Sequence, residues 1–315
     1  MKILLTGGAG YVGSRLVGSL TASNCYQVTV VDRLDHGGDA LLPYMDSGRL
    51  QIVQQDINDY HPRERFDVVF HLAALVGEPI CSHNSKEADR TNTIGTARLL
   101  DTVRTGRFVL FSTCSNYGAI GGQLAHETTP LSATGIYSST KIAAENLVLA
   151  AGGTVFRLGT VCGLSSRMRY DVLVNEMAYQ AVRDGRVQVI NKHAWRPMLH
   201  MKDMLRVCHQ LLHISHYTGV SDPLAGPINV ISENIQKADL ASLIETHFPG
   251  TTFSYSVTDK GDPRDYQASC AKVQKLLGFS PVSTVSDALK ELAIALRLHY
   301  DLGSRQHFNT PLEIA

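Results

Sequence analysis

The stretch Ile3-Leu4-Leu5-Thr6-Gly7-Gly8-Ala9-Gly10-Tyr11-Val12-Gly13 decides the fold of this chain. Its apolar opening reads as a buried strand. Gly7, Gly10 and Gly13 then supply a tight turn, a close backbone approach to a pyrophosphate and close packing of the helix after the turn. Free N–H groups at the start of that helix, at Tyr11 and Val12, suit a phosphate. The next strand, 27–31, ends at Asp32, about 20 residues past the glycines, where a carboxylate accepts hydrogen bonds from both ribose hydroxyls. This favours NAD over NADP, because a 2′-phosphate is repelled there. Arg33 comes immediately after and pulls the other way, since a guanidinium beside the ribose can pair with such a phosphate.

Strand-like runs near Ile3, Val28, Ile52, Val68, Val109 and Val155 alternate with helical patterns. Right-handed crossovers then predict an α/β fold, a Rossmann-like doubly wound parallel sheet with helices on both faces. After about Gly163 the rhythm changes to an expected helix over 171–183, a short strand over 187–190 and strand character again at Ile228-Asn229-Val230.

A second constellation carries chemistry. Thr113 comes just after the expected strand 108–111, and Tyr137-Ser138-Ser139-Thr140-Lys141 places a phenol and an ammonium one helical turn apart on one face of a helix running to about Ala150. An ammonium close to a phenol favours the phenolate, so Tyr137 is expected to act as a base well below its ordinary pKa of about 10. A tyrosine so placed removes an alcohol proton while hydride leaves the same carbon. A surface tyrosine and lysine on an amphipathic helix is the bland alternative, and the nearby glycine fingerprint disfavours it.

Together these motifs resemble the extended short-chain dehydrogenase/reductase family, specifically its nucleotide-sugar epimerases and dehydratases. The resemblance covers nearly the whole chain. It implies that Leu72, Ala73 and Ala74, after His71, lie against the cofactor, that Asp56 and Ile57 contact adenine, and that Asn92 with Gly95-Thr96 is the family's Asn-x-x-Gly-Thr helix motif at the cofactor site. Arg196-Pro197-Met198-Leu199-His200-Met201-Lys202-Asp203 and Gly261-Asp262-Pro263-Arg264 resemble two further family segments, which would put Arg196 and Arg264 on a sugar nucleotide's diphosphate. It also implies a homodimer and assigns 228–230 to the nucleotide domain. The NAD-binding domain is then 1–163 plus 196–231, and a smaller discontinuous α/β substrate lobe is 164–195 plus 232–315. Plainer roles compete at several of these positions: Asp56 capping a turn, Asn92 bonding the backbone of its own helix region, His200 packed in a strand, Asp203 as a helix N-cap, and a solvated salt bridge for either arginine.

The type of reaction turns on the residues just after Thr113. The family's 4,6-dehydratases carry Thr-Asp-Glu there, whereas this chain has Thr113-Cys114-Ser115, which disfavours standard 4,6-dehydration. Thr113 keeps the role of bonding the reacting oxygen. Cys114 has two readings, a packed residue behind the site or a thiol acid/base, and its spacing to the next tyrosine favours packing. Thr160 and Cys162 stand where relatives usually have Asn and Tyr, which alters the wall between sugar and cofactor. Asn175 is equally a base or phosphate contact and an ordinary residue near a helix start. The leading expectation is an NAD-dependent epimerase acting at C4 of a nucleotide sugar. The enzymatic alternatives are a 4-ketosugar reductase and a nonstandard dehydratase. A cofactor-sensing protein without turnover is the third class, disfavoured because Thr113, Tyr137 and Lys141 are all kept.

Composition narrows the setting. The 29 basic and 29 acidic residues cancel, so no polycation is offered to nucleic acid. No apolar run reaches the roughly 18 residues needed to span a bilayer, and no charged-then-apolar leader precedes the first strand. Cysteines at 25, 81, 114, 162, 208 and 270 lack the short spacing of metal or redox sites, so reduced thiols, no metal and a cytoplasmic location are expected.

Overall fold

The computed structural model describes residues 1–214, 222–257, 264–298 and 307–309. Gly261, Asp262 and Pro263 lie outside the described residues, as do parts of the expected lobe 232–315. From the N-terminus the chain forms β1 (Lys2–Thr6), α1 (Tyr11–Thr21), β2 (Gln27–Asp32), β3 (Leu50–Gln54), β4 (Arg65–His71), α2 (Glu78–His83), α3 (Ser85–Asp89), α4 (Gly95–Thr102) and β5 (Arg104–Thr113). Next come β6 (Ala119–Ala125), α5 (Ile136–Ala150), β7 (Thr154–Leu158), β8 (Thr160–Cys162), α6 (Leu173–Asp184), β9 (Arg186–Ile190) and β10 (Trp195–His200). The remaining elements are α7 (Met201–Ile214), β11 (Gly226–Val230), β12 (Glu233–Gln236), α8 (Lys237–His247), β13 (Thr252–Ser256), β14 (Asp265–Ala268), α9 (Ala271–Leu277) and α10 (Val285–Arg297).

Seven strands make one parallel sheet in the order β11-β7-β5-β4-β1-β2-β3, as the doubly wound reading predicts, with the 228–230 strand at its edge. Both faces are covered, which explains why its strands read as unbroken apolar runs. In β1, Ile3 and Leu5 join the cluster on one face and Leu4 the cluster on the other. Val109 and Phe111 against Phe108 and Leu110 repeat that split in β5. Each such fully buried side chain contributes about 1.5–3 kcal/mol.

The strand order reverses between β1 and β4, and the ends of β1, β2, β4, β5 and β7 open on the same side, where ligands of such sheets bind. Beyond the main sheet, β10 pairs with β8 in parallel and β12 antiparallel, so this small sheet joins strands from both expected lobes. β9 pairs with β13 and β6 with β14.

One expected cap is corrected. Asp203 lies within the first turn of α7 rather than before it. Its buried carboxylate takes the Ser232 hydroxyl at 2.8 Å and the Val282 and Ser283 N–H groups, fastening α7 to the segment that leads into α10. His200 is packed, 1% exposed, with Nδ1 accepting from the Lys202 N–H.

Candidate active site

The glycine turn is shaped as its sequence requires. Gly7 has φ +73°, a left-handed conformation that glycine adopts without strain, and a Cβ there would meet the Ala73 backbone N at 2.7 Å. A Cβ on Gly13 would sit 2.2 Å from the Gly7 carbonyl, so glycine is what lets α1 pack on the turn. Above this cradle lies a cavity of about 770 Å³, lined by Gly7, Gly10, Tyr11, Val12, Gly13, Asp32, Arg33, Asp56, Ile57, Leu72, Ala73 and Ala74. A backbone cradle that a Cβ would fill, with a carboxylate at its rim, fits a dinucleotide.

Asp32 is fixed by the Ala9 N–H at 2.9 Å and the Leu34 N–H at 2.8 Å, and burial pushes its carboxyl pKa up. Arg33 points into a carboxylate cluster, with Glu87 and Asp35 each at 2.5 Å and Asp56 at 3.6 Å. Its charge is answered by acidic neighbours and is not held for a 2′-phosphate. NAD(H) is therefore expected to bind at least ~10-fold, about 1.4 kcal/mol, more tightly than NADP(H) in calorimetric titration. Equal affinities would mean that Arg33 leaves those carboxylates for the phosphate.

Asp56 caps the turn at the Asn58 N–H (2.8 Å), and it also lines the cavity while holding Arg90 at 2.8 Å. Asn92 is corrected. It is 1% exposed behind the cavity wall, where its amide bonds both backbone groups of Leu75 and the Thr140 hydroxyl, so it positions the loop after β4. Asn175 is corrected too. It is fully buried against the Gly163 N–H, the Tyr11 hydroxyl and the Arg169 carbonyl, and faces no ligand space. The Tyr11 hydroxyl in turn donates to the Gly163 carbonyl at 2.7 Å, tying α1 to the segment after β8. Thr160 lines the cavity, whereas Cys162 is buried in the core.

Thr113, Tyr137 and Lys141 converge on the cavity as expected. Thr113 stands beside the Tyr137 hydroxyl and favours its ionised form, and the Lys141 ammonium donates to the Phe111 carbonyl at 2.7 Å. Burial pushes the Tyr137 phenol up to about 12, against the pull of Arg169, Arg264 and Thr113, and drives Lys141 down to about 8. The expected lowering of the phenol is thereby corrected: burial outweighs the nearby cations, among which Arg169 and Arg264 pull it down, while the Lys141 ammonium is directed at a carbonyl. Cys114 is corrected as a candidate acid/base. It is fully buried in a cluster with Tyr117 and Tyr266, its thiol donates to the Arg157 carbonyl at 3.2 Å, and burial raises its pKa.

Arg196 and Arg264 meet in the cavity. Arg196 donates to the carbonyls of Trp195 and Arg264, and Arg264 donates to the Ser115 hydroxyl at 2.9 Å. Among the lining residues that the sequence did not single out, Arg169, Arg167, Ser115 and Glu78 stand near the reacting groups or the arginines. Arg169 is clamped by Asp171 through two bonds of 2.9 Å. Arg167 is 4% exposed with its Nε and one terminal nitrogen unpartnered, and burial beside Arg169 lowers it to about 10. Ser115 carries Arg264. Glu78 accepts the Ile136 and Tyr137 N–H groups at 2.7 and 3.1 Å, so a carboxylate at the start of α2 caps α5 beside the tyrosine. The arginines had no periodic signal: Arg167 and Arg169 lie in the irregular segment between β8 and α6, and the tertiary fold brings them to the cavity.

Comparison with known proteins agrees with this geometry. The model of the NAD dependent epimerase/dehydratase family matches residues 3–218. A dTDP-glucose 4,6-dehydratase of Streptomyces niveus is 29% identical over 311 residues, covering 92% of this chain and 91% of the relative. UDP-glucuronic acid decarboxylase 6 of Arabidopsis thaliana is 25% identical, covering 95% and 89%. In fold, the chain is similar to the UDP-glucuronic acid 4-epimerase of Bacillus cereus solved with UDP-glucuronic acid and NAD, with a TM-score of 0.83, 24% identity and coverage of 95% and 100%. With the glycine cradle, the Tyr137–Lys141 helix and a family match over most of its length, the chain belongs to the NAD dependent epimerase/dehydratase family, within the extended short-chain dehydrogenase/reductases.

Proposed function

We propose that the protein is an NAD-dependent nucleotide-sugar epimerase that acts at C4 through a transient 4-keto sugar. The observation that carries this reading is the turn after Thr113. Cys114 is buried away from the cavity and Ser115 is held by Arg264, so that turn presents no carboxylate to remove water from the sugar. Glu78 is occupied by the N–H groups of α5, and Asp171 by Arg169. The groups that face the reacting carbon are a phenol and a hydroxyl.

Thr113 holds the C4 oxygen, and Tyr137 in its phenolate form takes the proton and becomes the phenol. Bound NAD supplies the acceptor and donor of hydride at that carbon. Arg196 and Arg264 keep the diphosphate in place while the sugar presents its other face, and Tyr137 returns the proton. The division into a cofactor domain and a substrate lobe, and a homodimer, are part of the same reading.

The test is incubation of NAD-loaded protein with UDP-glucose, dTDP-glucose and UDP-glucuronic acid in deuterium oxide, with the products read by NMR. The expected product is the C4 epimer of one of them, without deuterium on its carbons and without net NADH. A deuterated 6-deoxy-4-keto product would replace this reading by dehydration, and loss of carbon dioxide by decarboxylation. Net consumption of reduced cofactor would make the protein a reductase. NAD binding without conversion of any of the three would favour a cofactor-sensing role.

A further inference from the structure

Behind the reacting groups lies a charged network that the proposed chemistry does not use. Tyr137, Lys141 and Glu145 are spaced four apart on α5 and share a face. Glu145 is 0% exposed and Arg157, on β7, is 4% exposed. One Glu145 oxygen takes both the Nε and a terminal nitrogen of Arg157, at 3.0 and 2.8 Å. The other takes the Ser112 hydroxyl at 2.5 Å and the Asn116 amide at 2.7 Å. Ser112 immediately precedes Thr113, and Asn116 lies in the short turn that Thr113 caps. One carboxylate therefore fastens the helix bearing Tyr137 and Lys141 to the strand end bearing Thr113.

We propose that Glu145 is a positioning residue for the reaction. Its carboxylate sets the register between α5 and β5, and its buried negative charge opposes the Lys141 ammonium one turn away. The proposal rests on the reading of Thr113, Tyr137 and Lys141 as the reacting set.

The charges around Lys141 support this. Lys141 is 3% exposed, and burial disfavours its ammonium. Glu145 on its own helix acts in the opposite direction, as does Cys81 from α2, while His71 from β4 is pushed well below its usual range, to about 3, by burial and by Lys141. Around Glu145 stand Arg157 and Tyr117, and the buried thiol of Cys114. Arg157 is the direct ion-pair partner of Glu145 and meets the Tyr117 hydroxyl at 3.1 Å. Glu145 is thus a carboxylate shared by Arg157 and Lys141, and it favours the Lys141 ammonium.

The test compares wild type with Glu145→Gln, both loaded with NAD, by thermal unfolding from pH 6 to 9. The sign is set by Lys141. Its folded pKa is depressed, and removing Glu145 depresses it further, so at low pH the variant alone carries an unbalanced ammonium. The Tm gap is expected to be widest near pH 6 and to narrow as pH rises through about 8, where Lys141 is neutral in both chains. With Lys141→Met in both chains, the gap should become independent of pH. Glu145→Asp, which keeps the charge, should lower Tm with little pH dependence. A flat gap that Lys141→Met does not alter would overturn the proposal and leave Glu145 as Arg157's partner alone. Should E145Q not fold, the double change Glu145→Met, Arg157→Met takes its place in the same scan, with the same narrowing expected. Turnover gives a separate arm: on whichever of the three nucleotide sugars wild type converts, E145Q should lose about tenfold at pH 8 and recover towards lower pH. Failure of wild type on all three would overturn the proposed function, while the unfolding scan still judges Glu145.

Discussion

Replacing Tyr137 with phenylalanine is expected to lower turnover by about 10²–10⁴-fold, the range for losing a positioned proton-transfer group, while NAD affinity is unchanged. The ring continues to fill its place, and only the hydroxyl beside Thr113 is lost. Cys114→Ser is the paired control. Its thiol lies in an apolar cluster and donates to a backbone carbonyl, so a serine there should leave turnover within a few-fold of wild type. Steady-state rates with whichever nucleotide sugar the protein converts decide both. Near-native turnover in Tyr137→Phe would remove the acid/base assignment. A loss in Cys114→Ser as deep as that of Tyr137→Phe would return the thiol to the reaction and move it towards epimerisation next to a keto group.

Arg196→Ala and Arg264→Ala should each weaken nucleoside diphosphate binding by about 1.5–3 kcal/mol, or roughly 10- to 150-fold, with NAD affinity unaltered. The structure adds a condition to that expectation. Arg196 donates to the carbonyl of Arg264, so the two are one assembly and the double variant should lose less than the sum of the single losses. Calorimetric titration with UDP, and separately with NAD, measures each. Unchanged diphosphate affinity in both single variants would leave a free sugar or another small alcohol as the better substrate.

The fold was legible because its information is local. β1 and its glycines, Asp32 at the end of β2, and Tyr137 with Lys141 one turn on are short-range patterns that need no knowledge of tertiary contacts. The seven-stranded sheet is built on them. Where sequence reading went astray or left two roles open, the deciding fact was a direction. Asn92, Cys114 and Asn175 stand next to ligand-facing residues, yet their side chains turn inward to Leu75, Arg157 and Gly163. Arg167 and Arg169, just before α6, line the cavity, whereas Asn175 within α6 turns into the core. Tyr137 shows a different gap. Helical spacing foretold the nearness of Lys141, but whether burial or the ammonium governs the phenol depends on every chain segment that closes over it. The pairs β6–β14 and β9–β13 were also beyond reach, because Ala119–Ala125 carries two glycines and Thr252–Ser256 is mostly exposed, leaving little hydrophobic alternation to read.

The carboxylate of Glu78 has a consequence for how freely this protein can be varied. Gly135, just before α5, has φ −177°, an extended backbone that any residue adopts. A Cβ there would nonetheless fall 2.1 Å from a Glu78 oxygen. That oxygen is the flexible end of a side chain, so alanine at 135 would meet no rigid wall. It would evict Glu78 from the Ile136 and Tyr137 N–H groups, uncapping the helix at the residue that handles the proton. A saturation library at 135 should therefore fail through activity before it fails through folding, and mutational tolerance there reports on Glu78, fifty-seven positions earlier in the chain, rather than on the backbone of residue 135 itself.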